Sequence, residues 1–308
     1  MITILMATYN GEKYLAEQIE SILNQTEADW QLIIQDDCSS DSTSSIANHY
    51  ANTHPNKIKF FQNQKRSGSA KANFFSMLQY SHSDYMMTCD QDDIWLPEKI
   101  QLTMDKMKQL EMVLGPDKPI LVHTDLQVVD ESLNCIAKSM FQHQNLNSSR
   151  DKFNNILVQN IVTGCTMMVN RALLNITKGS PQQAIMHDWW LALIASAFGG
   201  IGFVCTPTVL YRQHESNEVG AKNARSLSYN LKRLQNKVQS QEVLQSTYLQ
   251  AKEFIACYHQ QLDDSNLKFA TTYAALPMQS KIYRLHALFY YHFWKNGLAR
   301  KCGQILYV

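Results

Sequence analysis

The amino-acid sequence predicts an α/β fold, in which a mostly parallel sheet flanked by helices is followed by a helical C-terminal extension. Strand and helix patterns alternate four times over about the first 115 of the 308 residues, which is typical of parallel sheets. After residue 221 the apolar residues recur only at helical spacing. The charge also changes there, because residues 1–220 hold 16 Lys and Arg against 23 Asp and Glu, whereas residues 221–308 hold 12 against 4. We therefore predict two domains, 1–220 and 221–308.

Four strands alternate with four helices in the first part of the chain. The predicted strands are Ile2–Ala7, Trp30–Gln35, Ile58–Gln62 and Tyr85–Cys89. Asn10 is expected to cap the first helix, and Pro97 stands where the start of a helix tolerates proline.

The pattern after Pro119 is less regular. Short strands are predicted at 120–123, 127–129, 163–169 and within 201–212, with a helix at 188–198 and further helical stretches at 225–262 and 278–302.

Cysteine usage and hydropathy indicate a cytoplasmic protein. The seven cysteines are odd in number and never spaced as CxxC, which disfavours disulfides and structural zinc. The first apolar run follows no basic segment, so we interpret it as a core strand instead of a signal peptide. No uncharged apolar run approaches the ~18–20 residues that a membrane span requires.

Three polar clusters follow predicted strands, at the carboxyl ends where open α/β sheets bind ligands. They are Ala7 to Asn10, Asp36 with Asp37, and Asp90 to Asp93. An aromatic ring in the first can stack on a base, and a carboxylate in the second can accept the N3–H of a pyrimidine. Carboxylates in the third can share a hard divalent cation that bridges phosphates. Together the clusters predict a site for a nucleoside diphosphate.

Each cluster also has a purely structural interpretation. A Tyr-Asn pair or an Asp-Asp pair after a strand is often only a turn or a helix cap. The three acids between residues 90 and 93 are harder to explain in this way, because like charges repel unless a cation or a base relieves them.

Longer stretches around these clusters resemble family 2 glycosyltransferases of the Rossmann-like GT-A fold. The stretches are TYNGEKYLAEQIESILNQT, DWQLIIQDDCSSDST and CDQDDIWLPEK. The later segments HDWW and YRQHESNEVG are most similar to bacterial rhamnosyltransferases that build rhamnose-rich cell-wall polysaccharides, such as the streptococcal rhamnan enzymes. The resemblance covers about residues 1–220.

The resemblance implies a role for individual residues in binding the nucleotide. Tyr9 would stack on the base beside the backbone of Ala7 and Thr8, and Asp37 would bind the base N3–H. The other implied nucleotide contacts are Asn10, Glu12, Lys71, Asn73, Asp90 and Gln91.

The resemblance also implies a cofactor, Mn²⁺ or Mg²⁺. Asp90 and Asp92 match the DxD motif, with Asp92 as the direct metal ligand and Asp90 nearer the ribose or a metal-bound water. His214 would contact the metal or the diphosphate, although a structural histidine explains it nearly as well.

Asp188 matches the catalytic base of the family, and its alternative is an acid that favours a helix N-terminus. Residues implied near the sugar or the acceptor are Gly164, Cys165, His187, Trp189, Trp190 and Asp93. Either tryptophan can instead anchor the helix in the core, and Asp93 can instead orient its loop. His123 and Asp125 are further candidates for the acceptor site.

The C-terminal segment is basic and aromatic. Residues 265–308 hold six Lys and Arg and no Asp or Glu, interleaved with aromatic residues, and a second basic run lies at 222–237. This composition is typical of a helix on an anionic membrane surface. The alternatives are packing against the catalytic domain or a second subunit, as in a homodimer; nucleic acid is not expected as a partner.

The resemblance and the residues together imply an inverting, metal-dependent transfer of L-rhamnose from dTDP-β-L-rhamnose to a lipid-linked cell-wall polysaccharide precursor, giving an α-rhamnoside. The alternatives are a UDP-hexose donor (galactose, glucose or N-acetylglucosamine), a sugar-1-phosphate nucleotidyltransferase, and a non-catalytic assembly scaffold. The nucleotidyltransferase would need a glycine-rich basic loop after the first strand, and TYNGEKYL is not one.

Overall fold

The computed structural model describes residues 1–214 and 237–308. They divide into two compact units. The first contains residues 1–140, 162–180 and 201–214, and the second contains residues 141–161, 181–200 and 237–308. The predicted domain boundary at residue 220 lies outside the described residues, as does nearly all of the basic run at 222–237.

The first unit is built on a mixed sheet. Its strands are β1 (Ile2–Thr8), β2 (Trp30–Asp36), β3 (Ile58–Gln62), β4 (Tyr85–Cys89), β5 (Ile94–Trp95), β6 (Ile120–Val129), β7 (Cys135–Ala137), β8 (Met167–Asn170) and β9 (Gly200–Arg212). The order across the sheet is β3-β2-β1-β4-β8-β6-β9-β5, with β7 paired to β6. Helices α1 (Leu15–Leu23), α2 (Thr43–Thr53), α3 (Ala70–Met77) and α4 (Lys99–Leu114) connect the early strands.

The parallel arrangement expected from the sequence is confirmed for β1 to β4 but does not extend further. β1 pairs in parallel with β2 and β4, and β2 pairs in parallel with β3. The pairs β4–β8, β6–β8, β6–β7 and β5–β9 are antiparallel. Parallel neighbours need a crossover helix, whereas β6 and β7 are joined by only the short turn 130–134, which permits the antiparallel pairing alone.

Several predicted elements have different bounds. The two short strands expected at 120–123 and 127–129 form the single strand β6, and residues 201–212 lie in the single long strand β9. The strand expected from residue 163 begins instead as a 3₁₀ turn, Gly164–Thr166, before β8.

The centre of the sheet is buried on both faces, as expected for parallel strands. Ile4, Leu5 and Met6 of β1 are wholly inaccessible, and α1 covers one face with Leu15 and Ile19. Because β1 pairs in parallel with both β2 and β4, the carboxyl ends of these three strands lie at one edge of the sheet.

The expected helix cap at Asn10 is wrong. Helix α1 begins at Leu15 with Tyr14 at its N-cap position, whereas Asn10 has a positive φ of 47°. Its side-chain Oδ1 accepts a hydrogen bond from Ser40 N at 2.9 Å, and its own N–H donates to Ser39 Oγ at 2.8 Å. Asn10 therefore joins the turn after β1 to the turn after β2.

The second unit consists of helices around an aromatic core. In chain order, the short helix α5 (Met140–His143) lies at the unit boundary, α6 (Phe153–Ile156) and α8 (His187–Phe198) follow in the second unit, and α7 (Arg171–Ile176) belongs to the first. The C-terminal helices are α9 (Lys237–Tyr258), α10 (Asp264–Ala275), α11 (Lys281–Tyr290) and α12 (Leu298–Tyr307). The stretch predicted at 278–302 is interrupted between α11 and α12, where His292 and Gly297 have positive φ.

None of the helices in the described ranges is both long enough and apolar enough to cross a bilayer.

Candidate active site

Asp92 and His214, two of the three residues predicted at the metal, lie together. Asp92 follows β4 and His214 follows β9, and Asp92 Oδ2 is 2.7 Å from His214 Nε2. Their side chains are 15% and 10% exposed, so a small ion can still reach them. A carboxylate oxygen and an imidazole nitrogen both ligate Mn²⁺, and the carboxylate alone suits Mg²⁺. These residues therefore fit the implied divalent cation.

Asp93 differs from its neighbours because its side chain is wholly buried. Its Oδ1 accepts a hydrogen bond from the backbone N–H of Arg212 at 3.1 Å. Burial raises the pKa of Asp93 well above its ordinary value, and the charges of Asp92 and Asp90 raise it further. The side chain has no surface with which to touch a sugar, so its placement favours the loop-orienting role over the sugar contact.

Cys165 also lies in the interior. Its thiol, Asp90 and Asp93 offer ligand atoms within 4.8 Å of one another. Burial raises the pKa of Cys165 well above its ordinary value, with further contributions from Asp93 and Asp90. Cys165 and Asp93 are wholly buried, whereas Asp92 and His214 retain accessible surface, so the Asp92–His214 pair is the better site. The adjacent Gly164 is also buried, and its carbonyl accepts a hydrogen bond from Thr88 Oγ1 at 2.7 Å.

Gln91 belongs to the acidic segment 90–93 after β4, here called the metal segment, and joins it to the segment that carries Tyr9. The Tyr9 N–H donates to Gln91 Oε1 at 2.9 Å, and Gln91 Nε2 donates to the Tyr9 carbonyl at 3.0 Å. The amide lies where Gly11 has no side chain, since a Cβ there would be 2.3 Å from Gln91 Oε1. The Tyr9 ring is 37% exposed, and the guanidinium carbon of Arg66 lies 4.0 Å from its centroid.

Asp37 is largely buried and heavily hydrogen-bonded. Its Oδ1 accepts from Ser67 N at 2.6 Å and Asn63 Nδ2 at 2.7 Å, and its Oδ2 accepts from Ser67 Oγ at 2.8 Å. Burial acts to raise the pKa of Asp37, but the hydrogen bonds from Ser67, Asn63 and Gly68 outweigh burial and lower it. The charged carboxylate thus holds the loop that carries Arg66.

Most of the other implied nucleotide contacts hold the surrounding turns together. Thr8 Oγ1 donates to Asp36 Oδ1 at 3.1 Å, and Glu12 Oε2 accepts from Ser42 N at 2.9 Å. Asn73 is buried, and its Oδ1 accepts from Gln35 Nε2 at 2.7 Å. Ala7 is half-buried at the end of β1, and Lys71 is half-buried in the first turn of α3.

Asp188 lies in the second unit, in the first turn of α8, and is 9% exposed. Its Oδ1 accepts from the N–H of Trp189 at 2.6 Å. Burial lowers the pKa of the preceding His187 to about 3, so that imidazole is neutral at physiological pH.

The two tryptophans after Asp188 have different surroundings, as the adjacent positions of a helix predict. Trp190 is wholly buried, with its ring centroid 5.4 Å from that of Phe254 and 6.3 Å from that of Tyr258. Trp189 is half-buried, and its indole N–H donates to the Ile156 carbonyl at 2.7 Å. Trp190 is therefore a core anchor, and Trp189 alone of the two retains accessible surface.

The acceptor candidates His123 and Asp125 are buried residues of strand β6. His123 is wholly buried with its ring 5.0 Å from that of Phe203, and burial lowers its pKa to about 3. Asp125 is 4% exposed and its Oδ2 accepts from Ser139 Oγ at 2.5 Å. This placement is unfavourable for contact with an acceptor.

The sequence reasoning missed two arginines near the site. Arg66 stacks on the ring of Tyr9, and the buried Arg212 donates to the carbonyl of Asp92. Arg212 ends β9 two residues before His214, and its hydrogen-bond partners lie on other elements, which the sequence pattern does not show.

The close fit between Gly11 and Gln91 generates a prediction. Gly11→Ala should lower the free energy of unfolding by ~1–3 kcal/mol, because the new methyl group overlaps the Gln91 amide. In a Gln91→Ala background the space is open, so the same substitution should cost clearly less. Urea denaturation of the four proteins in this double-mutant cycle measures the difference. Equal costs in both backgrounds would contradict the assigned packing.

The amino-acid sequence is similar to those of known glycosyltransferases. "dTDP-rhamnosyl transferase RfbG" of Shigella flexneri is 30% identical over 231 residues, which cover 70% of this chain and 74% of that protein. "UDP-Glc:alpha-D-GlcNAc-diphosphoundecaprenol beta-1,3-glucosyltransferase WfgD" of Escherichia coli is 27% identical over 222 residues, covering 70% and 79%.

Solved structures share the fold. TarS residues 1–349 of S. aureus in complex with UDP superpose with a TM-score of 0.56 at 17% identity, covering 94% of this chain and 71% of that one. Mannosyltransferase PcManGT from Pyrobaculum calidifontis, in complex with GDP-Man and Mn²⁺, gives a TM-score of 0.54 at 17% identity, covering 99% and 86%. The predicted GT-A fold class is thereby confirmed. Residues 3–175 match the sequence model of Glycosyl transferase family 2, and the chain belongs to this family of glycosyltransferases.

Proposed function

We propose that this glycosyltransferase transfers L-rhamnose from dTDP-β-L-rhamnose, with inversion and with a divalent metal, to a lipid-linked rhamnose-containing cell-wall polysaccharide precursor. The observation that carries the metal dependence is the Asp92–His214 pair, in which two metal-ligating atoms lie 2.7 Å apart. The adjacent Gln91 holds the backbone of Tyr9, so a base on that ring would have its diphosphate beside the metal ligands.

The proposed roles follow from the chemistry of the groups. Asp92 and His214 would hold Mn²⁺, or Asp92 would hold Mg²⁺, and the bound cation would stabilise negative charge on the leaving diphosphate. Tyr9 stacks on the base, and Lys71 supplies a further positive charge near the phosphates.

Asp188 completes the proposed reaction as the general base. The acceptor hydroxyl oxygen forms a bond to C1 of the sugar on the face opposite the diphosphate, while the C1–oxygen bond to phosphate breaks. The hydroxyl proton passes to the Asp188 carboxylate. Attack from the opposite face inverts a β-linked donor, and the product is an α-rhamnoside.

Rhamnose is favoured by the similarity to the S. flexneri protein, whose name specifies a dTDP-rhamnosyl donor. A second candidate is a UDP-hexose donor (galactose, glucose or N-acetylglucosamine), and it is favoured by the E. coli relative, whose name specifies UDP-Glc. Tyr9 and Asp37 would contact features that uracil and thymine share, so the base site does not separate them. The E. coli name also specifies a diphosphoundecaprenol acceptor, which supports a lipid-linked acceptor here.

A non-catalytic scaffold is a less favoured alternative. A scaffold would not need Asp90, Asp92 and Asp188, the residues that match the DxD motif and the catalytic base of the family. Their presence supports the catalytic role over the scaffold.

We further propose that helix α11 lies on the anionic inner face of the cell membrane. Its Ala287 and Leu288 are buried, whereas Ile282, Phe289 and Tyr290 are 83%, 63% and 64% exposed. These three residues fall on one side of a helix with 3.6 residues per turn. With six Lys and Arg and no acid over residues 265–308, the apolar face is combined with positive charge, as on membrane-surface helices.

The donor is tested with a panel of nucleotide sugars and a rhamnosylated lipid acceptor, analysed by mass and by glycosidic linkage. Transfer from dTDP-β-L-rhamnose, with an α-linked product, is the expected result. Transfer only from a UDP-hexose would support the second candidate, and transfer from no donor, although dTDP or UDP binds, would support the scaffold.

The proposed ligand and the proposed base are separated by two variants. Asp92→Asn should lower kcat at least about a hundredfold and raise the Mn²⁺ requirement, because it removes a charged ligand. Asp188→Asn should lower kcat by about 10²–10⁴ while the dTDP affinity measured by calorimetry stays unchanged. The matched control is Asp105→Asn, an exposed acid on α4. Full activity of Asp92→Asn in chelator, or loss of dTDP binding in Asp188→Asn, would contradict the assigned role.

The membrane face is tested by co-sedimentation with vesicles of phosphatidylcholine containing phosphatidylglycerol. Ile282→Asp and Phe289→Asp should each weaken binding about tenfold, since burying one such side chain contributes ~1.5–3 kcal/mol. The control is Val113→Asp, which changes an equally exposed apolar residue of α4 in the first unit. If the α11 variants instead dissociate a dimer in sedimentation velocity and leave vesicle binding unchanged, this face is a subunit interface.

A further inference from the structure

Arg212, the last residue of β9, is buried next to the candidate metal site. Its side chain is 3% exposed. Nε donates to the Asp92 carbonyl at 3.0 Å, Nη1 donates to the Glu131 carbonyl at 2.7 Å, and Nη2 donates to Glu17 Oε2 at 2.5 Å. One guanidinium thus contacts the segment after β4, the turn after β6 and helix α1.

The backbone of Arg212 strengthens the same junction. Its N–H donates to Asp93 Oδ1, so Arg212 binds the metal segment through both its main chain and its side chain. Glu17, which is 56% exposed, forms an ion pair with Arg212. The hydrogen bonds from Nε and Nη1 go to carbonyls, and the planar fork of arginine suits several acceptors at once.

Tyr14 provides a common support for Arg212 and His214. The Arg212 guanidinium carbon is 4.4 Å from the centroid of the Tyr14 ring, and the His214 ring centroid is 5.1 Å from it. Both side chains therefore approach the same aromatic ring, although β9 ends at Arg212 and His214 lies beyond the strand. The Tyr14 ring therefore packs against both the His214 imidazole and the Arg212 guanidinium.

These contacts link the two proposed ligands. Asp92 and His214 belong to segments that are far apart in the sequence, and they can share one ion only if those segments keep their register. Arg212 binds the Asp92 carbonyl directly and lies two residues from His214, so a shift of either segment would break its hydrogen bonds.

We propose that Arg212 is a positioning residue of the metal centre, which keeps Asp92 and His214 at a shared ligand distance. The role rests on the proposed metal-dependent function. The three acceptors on Asp92, Glu131 and Glu17 each bind a different nitrogen of the guanidinium. The N–H donors of a lysine all start from one nitrogen, so lysine cannot reach the three acceptors together.

The test measures Mn²⁺ binding instead of activity. Mn²⁺ is titrated into the full chain with dTDP present, and the loss of the free-ion signal in electron paramagnetic resonance gives the Kd. Arg212→Lys should raise the Kd by about 10–100-fold, the range for groups that orient metal ligands. Glu17→Gln keeps the contacts to the two carbonyls and should raise the Kd only a few-fold. Asp92→Asn provides the reference for a lost ligand.

Arg171→Lys is the matched control. Its guanidinium also donates to two backbone carbonyls, Ser81 and Ser83, but before the start of β4 instead of after its end. Both Arg→Lys variants should lower the melting temperature, whereas only Arg212→Lys should change the Kd. If Arg212→Lys binds Mn²⁺ like the wild type, or if Arg171→Lys weakens binding equally, the positioning role is wrong. If the wild type itself takes up no Mn²⁺, the metal-centre proposal falls and this one with it.

Discussion

Charge repulsion among three carboxylates in four residues is the constraint on which the site depends. Asp90, Asp92 and Asp93 follow β4 directly, and three adjacent anions at a strand end repel one another. Asp93 is removed from this repulsion by burial, which raises its pKa, and by the Arg212 N–H. Asp92 faces the His214 imidazole. The neighbours thus differ because their surroundings differ: the buried Asp93 carboxyl binds the backbone of Arg212, and the Asp92 carboxyl keeps some accessible surface beside His214.

The turns around this acidic segment form one hydrogen-bonded assembly. Gln91 binds both backbone polar groups of Tyr9, and Asn10 binds the turn that follows β2. The aromatic ring that would receive a base is therefore tied through a single amide to the residues that would hold the metal. The ribose limits how far the base and the phosphates of a nucleoside diphosphate can separate, and a rigid connection between the two subsites lowers the entropy lost when both are bound. The Gln91 amide fits in this position because Gly11 has no side chain.

The sequence predicted the parts of the structure that depend on local pattern. Alternating strand and helix signals gave β1 to β4 in their parallel arrangement, and the pairing of Asp92 with His214 followed from the resemblance. The antiparallel half of the sheet was not predicted, because its pairing depends on contacts between distant segments such as β4 and β8. Arg212 was missed for the same reason: a buried arginine is explained only by partners on other elements. The sequence also did not show the internal partners of Glu12 and Asn73, which accept hydrogen bonds from Ser42 N and from Gln35 on β2.

The chemistry of the second unit favours a lipid surface over a protein partner for the exposed face of α11. The unit has an aromatic core of its own, in which the Tyr273 and Phe293 ring centroids lie 5.1 Å apart, so folding does not require the exposed face. Apolar residues left in water oppose solubility unless a surface covers them. A protein partner would have to supply acids to match Lys281 and Lys268 and an apolar patch in fixed register. An anionic bilayer presents negative charge and an apolar interior over its whole surface. A lipid-linked acceptor would lie in the same bilayer.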